Sequence, residues 1–449
     1  MTIVEAGKAL RARQISSAEL LKRSLSKITA LNDGLNAFLL VMEESARAEA
    51  SRADAELASG RDRGPLHGIP VAVKDLFLTK GIRTTAGSKI FAGYIPDRDA
   101  TVLTKLRAAG AVIVGKTHLH ELAYGVTSNN PHFGPVRNPH DPNRIPGGSS
   151  GGSGAAVASG MVLMAMGTDT GGSIRIPASY CGTAGLKPTF GLVSKNGCMP
   201  LGLSLDHMGP LTNSVADAAL CLNALAGYDP GDACSVKRLP VDYSVMDGSL
   251  QGVRVGWPEN FFFDAVDEEV AAAVSAAADR ARLAGAEVVP VKVPDVDALN
   301  VVARVILLAE AAAVMRPYLH RREDFGKDVL ALLDSGQLLP ATDYVNAQRV
   351  RRQMQADFRQ LFQKIDVLLT PATPIPAPLI GETTVEVAGR QEDVRLASTR
   401  LVRGINALGL PALSVPCGVT QSGLPIGLQI VGRAFEEKVV LQVGHALSM

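Results

Sequence analysis

Two glycine-serine turns, separated by a short helix and a strand, constrain this chain more than any other feature. They lie in the segment 146–177, which reads PGGSSGGSGAAVASGMVLMAMGTDTGGSIRIP. Glycine accepts backbone angles and close contacts that a Cβ atom would prevent, so each turn can bring a serine close to another part of the chain. The segment therefore predicts two neighbouring loops that carry Ser149 and Ser173.

Such loops have three plausible uses. A flexible linker is disfavoured because the loops flank an apolar, strand-forming stretch. A phosphate-binding loop is disfavoured because the Gly-Lys-Ser/Thr ending of a P-loop is absent and no dinucleotide-type glycine fingerprint follows a strand. Acyl transfer is favoured, because successive backbone N–H groups can stabilise the oxygen that becomes negative in a tetrahedral intermediate. The predicted donors are Thr170, Gly171, Gly172 and Ser173.

A serine nucleophile requires a base, and the sequence offers a lysine for that role. The Ser173 hydroxyl is a weak nucleophile at neutral pH, and no histidine has motif support as its base. Lys74 ends the apolar run GIPVAVK, which predicts a buried strand. Burial can lower a lysine pKa from ~10.4 far enough to leave the amine uncharged. The alternative is that Lys74 ends a strand and pairs with Asp75.

The rest of the pattern predicts an α/β fold. A helix, Ala-Gly-Ala and an apolar strand follow one another in TVLTKLRAAGAVIVG and again in ADRARLAGAEVVPV, as in crossover units of a parallel sheet. Further strands are expected at MVLMAMG, GVRVGW, DVLLTPA, ALSVPC and GLQIVG. We expect one large domain over residues 1–449, with a central mixed, mostly parallel β-sheet covered by helices. A helical segment over residues 1–60, with a capping box at Ser16 and Glu19, is expected to pack on it, and residues 225–370 allow a helical lobe.

Composition excludes several classes of function. Lys and Arg number 45 and Asp and Glu number 44, without a long block of one sign, so neither nucleic acid nor a membrane surface is expected as a partner. The five cysteines and eight histidines lack the spacing of a disulfide framework or a metal site. No signal peptide or run of ~18 apolar residues is expected, which favours a cytoplasmic protein that acts on a small molecule. The sequence does not determine the oligomeric state and allows a homodimer.

These blocks together resemble the amidase signature family along nearly the whole chain. The stretch GGSSGGSGAAVASGMVLMAMGTDTGGSIRIPA matches the family's signature, and GPLHGIPVAVKDLF, GAVIVGKT, CGTAGLKPTFGLVS, GLPALSVPCG and GLPIGLQIVG match its other blocks. The resemblance implies the family's fold, with Lys74 as general base, Ser149 as bridging serine and Ser173 as nucleophile. It places the oxyanion hole at residues 170–173 and a cis peptide bond before Ser149, and it implies no metal or organic cofactor.

Three further residues are expected to support the two loops. Asp169 and Arg175 flank the predicted nucleophile in TDTGGSIR and can pair to hold its turn. Ser150 can form hydrogen bonds within the first loop. A structural role is favoured for all three.

The sequence also resembles one branch of the family, the glutaminase component of the glutamyl-tRNA amidotransferase, in GKTHLHELAYGVTSNN. It departs from that branch at Thr399, where an acidic residue would hold the amino group of glutamine, and at residues 118–120, which read His-Leu-His in place of Asn-x-Asp. We therefore predict a stand-alone amidase. Apolar helices and few charges near the site favour aryl amides or carbamates (urethanes), with esters as side substrates. The alternatives are a glutaminase subunit that needs a partner chain and a catalytically silent binding protein of the same fold.

Overall fold

The computed structural model describes residues 1–244, 246 and 248–448. Its strands are β1 (Phe38–Val41), β2 (Pro70–Lys74), β3 (Val112–Thr117), β4 (Asn129–Asn130), β5 (Gly134–Pro135), β6 (Met164–Asp169), β7 (Ala184–Lys187), β8 (His207–Thr212), β9 (Arg254–Pro258), β10 (Glu287–Val291), β11 (Val367–Pro371), β12 (Thr384–Val387), β13 (Arg390–Asp393), β14 (Ala412–Val419) and β15 (Pro425–Gly432).

The α-helices are α1 (Ile3–Arg11), α2 (Ser17–Leu35), α3 (Glu43–Ala58), α4 (Thr101–Ala108), α5 (Gly151–Ala158), α6 (Arg175–Cys181), α7 (Val215–Leu225), α8 (Glu268–Leu283), α9 (Val296–Met315), α10 (Lys327–Gln337), α11 (Ala341–Lys364), α12 (Val394–Arg400), α13 (Arg403–Leu408) and α14 (Glu437–Leu447). Short 3-10 turns occupy Lys89–Phe91, Glu121–Ala123, Arg316–Tyr318 and Arg322–Asp324.

One eleven-stranded mixed sheet organises the molecule, in the order β1-β3-β2-β6-β8-β7-β14-β15-β11-β9-β10. The predicted α/β class and the predicted strands are confirmed. Parallel pairs join β3, β2 and β6 on one flank and β11, β9 and β10 on the other. The centre, from β6 to β11 in that order, is antiparallel.

The predicted parallel pairing is therefore confirmed for β3, β2 and β6 and for β11, β9 and β10, and it is wrong for the centre and for the edge pair of β1 and β3. The connection between β14 and β15 shows the reason, because it consists only of residues 420–424. Antiparallel strands can be joined by such a short turn, whereas parallel strands need a crossover of a dozen or more residues. The predicted crossover units, α4 with β3 and α8 with β10, lie on the flanks.

Both faces of the sheet are buried, and β2 shows this directly. Val71 and Val73 contribute to one hydrophobic core and Ala72 contributes to the other. Successive side chains of a strand point to opposite faces, so helices cover the sheet on both sides. All five residues of β2 are buried, including Lys74 at its carboxyl end.

The chain opens with helices whose caps follow from the sequence. At the start of α2, Ser16 Oγ accepts a hydrogen bond from the Glu19 amide (3.1 Å) and the Ser16 amide donates to Glu19 Oε2 (2.8 Å), which confirms the predicted capping box. α2 packs on α3, and α1 contacts α7. The chain therefore has helical structure over much of its first 60 residues.

One helix is long and apolar enough to cross a membrane by length and composition alone. It spans Val296–Tyr318, and its mean hydropathy reaches 1.9. This overturns the expectation that no segment meets that criterion. Its part that forms α9 packs against α10, α11 and α13.

The close approach of α10 to α9 depends on Gly336. A Cβ atom at this buried position would overlap the main-chain oxygen of Leu308 on α9 and would lie 2.8 Å from Ala312 Cβ. At Gly34, inside α2, no atom lies within 4 Å of an added Cβ. The same substitution should therefore have opposite effects at these two helical glycines.

We expect Gly336→Ala to lower the free energy of unfolding by about 2 kcal/mol, because α10 must move away from α9. Gly34→Ala, the matched control, should raise it by about 0.5 to 1 kcal/mol, because alanine loses less conformational entropy in a helix. Urea unfolding monitored by circular dichroism checks both values. Equal stability of Gly336→Ala and the parent protein would contradict the close contact.

Candidate active site

Lys74 is held in a fully buried cluster of hydroxyl groups at the end of β2. Its Nζ donates hydrogen bonds to Ser149 Oγ (2.7 Å), Thr168 Oγ1 (2.8 Å) and Ser150 Oγ (3.0 Å). Lys74 is the last residue of β2, and the neighbouring parallel strand β6 brings Thr168 beside it. Burial lowers the pKa of Lys74 to about 7, against the opposing effect of nearby acidic groups that include Asp169.

The alternative interpretation of Lys74 as the partner of Asp75 is wrong. Asp75 instead forms a buried ion pair with Lys116, at 3.0 Å between Oδ1 and Nζ. Its other oxygen accepts hydrogen bonds from the amide (2.8 Å) and hydroxyl (2.6 Å) of Thr85. Among the described residues, Lys74 forms no salt bridge, so no carboxylate holds it in the charged form.

The first loop presents Ser149 to this amine. The peptide bond between Gly148 and Ser149 is cis, which confirms the prediction made from the family resemblance. Gly147 has φ of +80°, a left-handed conformation that favours glycine. Ser128 fastens the loop: its hydroxyl donates to the carbonyl of Gly147 (2.9 Å) and accepts from the amide of Gly151 (3.2 Å).

The second loop is held by a fully buried pair of Asp169 and Arg175. The guanidinium binds both carboxylate oxygens, with Nε and Nη2 each at 3.0 Å. The same carboxylate accepts hydrogen bonds from the amides of Gly172 (2.7 Å) and Ile174 (3.2 Å). Burial alone would raise the pKa of Asp169, but the Arg175 guanidinium and these hydrogen bonds hold it well below its usual value. The loop that carries Ser173 is therefore fixed on both sides.

The amides around Ser173 differ in their availability. The Gly172 amide donates to Asp169. The prediction that this amide is free to bind a substrate is therefore wrong. The amides of Thr170, Gly171 and Ser173 donate to no acceptor within residues 1–244, 246 and 248–448. These three residues, unlike Gly172, line a cavity of about 290 Å³. Gly172 has φ of +119°, and an added Cβ would overlap the side chain of Val402, which explains the glycine there.

Ser149 and Ser173 lie on adjoining turns. The Ser150 amide donates to the Ser173 carbonyl (3.2 Å), which ties the two loops together. Ser173 lines the cavity, whereas Ser149 is fully buried behind it against Lys74. In the described part of the chain, the two hydroxyls are not hydrogen-bonded to each other.

A match to the amidase family model covers residues 19–441. The chain belongs to the amidase family. Two curated relatives are a glutamyl-tRNA(Gln) amidotransferase component of Anaeromyxobacter sp. (strain K), 42% identical over 99% of this chain and 94% of the relative, and an amidase of Pseudomonas putida, 44% identical over 99% and 95%. A solved structure from a protein complex linked to the evolutionary origins of an s-triazine catabolic enzyme superposes with a TM-score of 0.96, at 39% identity over 100% of this chain and 98% of that one.

The walls of the cavity in this amidase combine leucines with charged side chains. The leucines are Leu201, Leu307, Leu308, Leu332 and Leu396, and the charged residues are Arg304, Asp328, Asp393, Arg395 and Arg403. The expectation of few charges near the site is therefore wrong. These charges lie in or beside α9, α10, α12 and α13, which are distant in sequence from the two serine loops.

Several residues of the amidase site were not predicted from the sequence. Thr168 binds Lys74 directly, and Asn406 Nδ2 donates to Asp169 Oδ1 (2.8 Å). Arg175 also reaches Gln429 Oε1 (2.6 Å) and Asn406 Oδ1 (2.6 Å). Gln429 lies inside one of the quoted family blocks, and Asn406 lies just before another. The available signal was a polar residue in an apolar strand or turn, because such a residue needs hydrogen-bond partners when it is buried.

We expect the stability of the amidase to depend on pH through Lys74. Because its folded pKa is lowered to about 7 from its usual 10.5, the unfolded chain holds a proton between these values that the folded chain has released. The free energy of unfolding should therefore rise with pH across this window, by about 2 to 3 kcal/mol from pH 7 to pH 9 through this group alone.

Lys74→Met should lack this contribution, so the difference between parent and variant isolates it from other buried groups. Denaturant unfolding at pH 6, 7, 8 and 9 measures it, and Lys80→Met at an exposed position serves as the control. Parallel curves for the parent protein and Lys74→Met would show that Lys74 stays charged in the folded state.

Proposed function

We propose that this chain is a hydrolase that cleaves amide-type C–N bonds through an acyl-enzyme, with Ser173 as nucleophile, Ser149 as proton relay and Lys74 as general base. The observation that carries the proposal is the buried Lys74 amine hydrogen-bonded to Ser149 Oγ at 2.7 Å. Burial lowers the pKa of Lys74 to about 7. A large fraction of the amine is then uncharged at neutral pH and able to accept a proton.

The hydrogen-bond pattern gives the relay a direction. The Ser150 hydroxyl donates to the Thr168 carbonyl (3.1 Å), so its oxygen accepts from Lys74. Ser149 Oγ has Lys74 as its partner, and its proton is free to pass to the amine lone pair. As Lys74 takes that proton, Ser149 can take one from Ser173 on the adjoining turn.

The proposed reaction balances with these groups. Ser173 Oγ attacks the substrate carbonyl, the free amides of Gly171 and Ser173 stabilise the oxyanion, and the C–N bond breaks. The proton that left Ser173 returns through Ser149 to the leaving nitrogen. Water then attacks the acyl-enzyme by the same route and releases a carboxylic acid. A carbamate cleaved at its C–N bond would instead give a carbonic acid monoester, which loses carbon dioxide and leaves an alcohol.

The cavity supports a small substrate. Its volume of about 290 Å³ lies at the lower end of the range of ~300–1,000 Å³ usual for ligand pockets. The leucine side chains offer contact to an apolar or aryl portion next to the scissile bond. We therefore propose small amides, including aryl amides, and carbamates as substrates, with esters as easier side substrates because their leaving group needs less proton delivery.

A second candidate function is that of a glutaminase subunit in a tRNA-dependent amidotransferase, which the relative of that name favours. Thr399, the residue in place of the expected acidic one, lines the cavity, and its hydroxyl donates to the Arg395 carbonyl (2.7 Å). It therefore supplies no charge to an amino group. Hydrolysis of simple amides by the purified chain, without ATP, tRNA or a partner, tests the stand-alone function, and activity only with a partner chain would favour the glutaminase.

We expect Lys74→Ala to lower kcat/KM for amides by about 1,000-fold or more, since general base catalysis contributes 10²–10⁴-fold. Esters should lose less, because their leaving group departs without a proton. A panel of anilides, primary amides, carbamates and esters checks this, with Lys80→Ala as the control. Equal losses on amides and esters would contradict the role assigned to Lys74.

A serine-directed sulfonyl fluoride should inactivate the protein and modify Ser173. Peptide mapping should find the adduct in the parent protein and in Ser59→Ala, an exposed control, and not in Ser173→Ala. This result also separates an enzyme from a silent binding protein of the same fold. Modification elsewhere, with Ser173 untouched, would contradict the assignment of the nucleophile.

A further inference from the structure

Two arginines at the cavity lack a partner of opposite charge. The two aspartates of the cavity are already bound: Asp328 Oδ2 lies 3.0 Å from His120 Nε2, and Asp393 pairs with Arg395 (3.1 Å). Asp393 also accepts hydrogen bonds from the first amides of α12. For Arg304 and Arg403, no hydrogen bond or ion pair is formed with any residue that the structure describes.

Arg403 lies alongside the nucleophile loop. A Cβ atom built on Gly171 would be 3.7 Å from Arg403 Cγ and 4.0 Å from its Nε. Gly171 itself offers a free amide to the cavity, two residues before Ser173. The guanidinium therefore lies within a few bond lengths of the position where the scissile carbonyl would bind.

Arg304 and Tyr124 complete this end of the cavity. Arg304 lines the same cavity as Arg403, and burial together with Arg304 lowers the pKa of Arg403 to about 10, so Arg403 remains charged at neutral pH. Tyr124 is 5% exposed, and its hydroxyl has no hydrogen-bond partner among the described residues. Burial raises the pKa of Tyr124, against the effect of the two arginines, so the hydroxyl stays a neutral donor.

Like charges and an unpaired hydroxyl in a partly enclosed cavity are costly unless a ligand compensates them. A carboxylate does so best, because its two oxygens match the fork of a guanidinium and accept further hydrogen bonds. Leucines line the same cavity and fit a short apolar linker.

We propose that the substrate is a small amide that carries a free carboxylate, bound by Arg403 together with Arg304 and Tyr124. This rests on the proposed function and names its substrate class. The separation of the carboxylate from the scissile bond should be short, because Arg403 flanks Gly171. Monoamides of short dicarboxylic acids have this form.

The first test compares succinamate and glutaramate with butanamide and pentanamide, which lack the carboxylate. The parent protein should prefer the acidic amides in kcat/KM. Arg403→Gln should lower the ratio of acidic to neutral kcat/KM by about 10- to 100-fold, mainly through KM, the effect expected from losing hydrogen bonds to a charged group. Arg403→Lys should recover part of the ratio. Arg316→Gln, exposed at the end of the same helix as Arg304, should change neither ratio nor activity.

A different result would overturn the proposal. If Arg403→Gln reduces kcat equally for acidic and neutral amides, Arg403 acts on the reacting carbonyl instead. If the parent protein hydrolyses neutral amides as well as acidic ones, the proposed function stands and the carboxylate site does not.

Calorimetric binding of succinate and glutarate separates the two proposals. Binding that is lost in Arg403→Gln and kept in Ser173→Ala supports the carboxylate site even if no amide is hydrolysed, in which case the proposed function alone fails. Absence of dicarboxylate binding to the parent protein, together with no preference for acidic amides, overturns the carboxylate site.

Discussion

The interaction on which the rest of the site depends is the contact between a buried amine and a set of hydroxyl groups. A hydroxyl can either accept a hydrogen bond from an ammonium or donate one to a neutral amine. The three partners of Lys74 therefore remain satisfied in both protonation states. The two other lysines that are buried among the described residues differ. Lys116 forms an ion pair with Asp75 and also donates to Thr84 Oγ1 (2.8 Å), and Lys187 donates to main-chain carbonyls, which can only accept. Of these three lysines, Lys74 is the one whose hydrogen-bond partners are all hydroxyl groups.

The fold makes this burial possible by placing the lysine where two hydrophobic cores meet. β2 lies between two parallel neighbours, and its side chains reach both faces of the sheet. Three hydrogen bonds offset part of the free energy that the amine loses on leaving water. The part of this free energy that the hydrogen bonds do not offset lowers the pKa of Lys74. Stability is thus exchanged for an amine that is partly uncharged at neutral pH, as the proposed base requires.

Much of this arrangement could be predicted from the sequence, since the decisive residues lie in local patterns. Lys74 ends an apolar strand, and the serines stand in glycine-rich turns on either side of a single helix and strand. The residues that sequence reasoning missed reach the site from afar. Asn406 and Arg403 belong to α13, and Arg304 belongs to α9, so only the packing of these helices brings them to the serine loops.

The occupied amide of Gly172 and the antiparallel centre of the sheet were missed for a related reason. The amide depends on which way the Asp169 side chain points, and the pairing depends on which strands become neighbours. Neither is encoded in the period of the apolar residues. The strands that this period predicted are confirmed, whereas β1, β7 and β8 of the same sheet were not predicted.

The charges around the site fall into two groups with different consequences. Arg175 is fully paired, and its charge neutralises Asp169, whose own effect on Lys74 is to raise the pKa of the amine. An unpaired carboxylate there would hold Lys74 in the charged form and remove the base. The pair therefore fixes the loop that carries Ser173 and, in the proposed mechanism, keeps the relay electrically neutral. Arg304 and Arg403 line the cavity without an ion pair to any described residue, so in our proposal they bind the substrate and take no part in the proton relay.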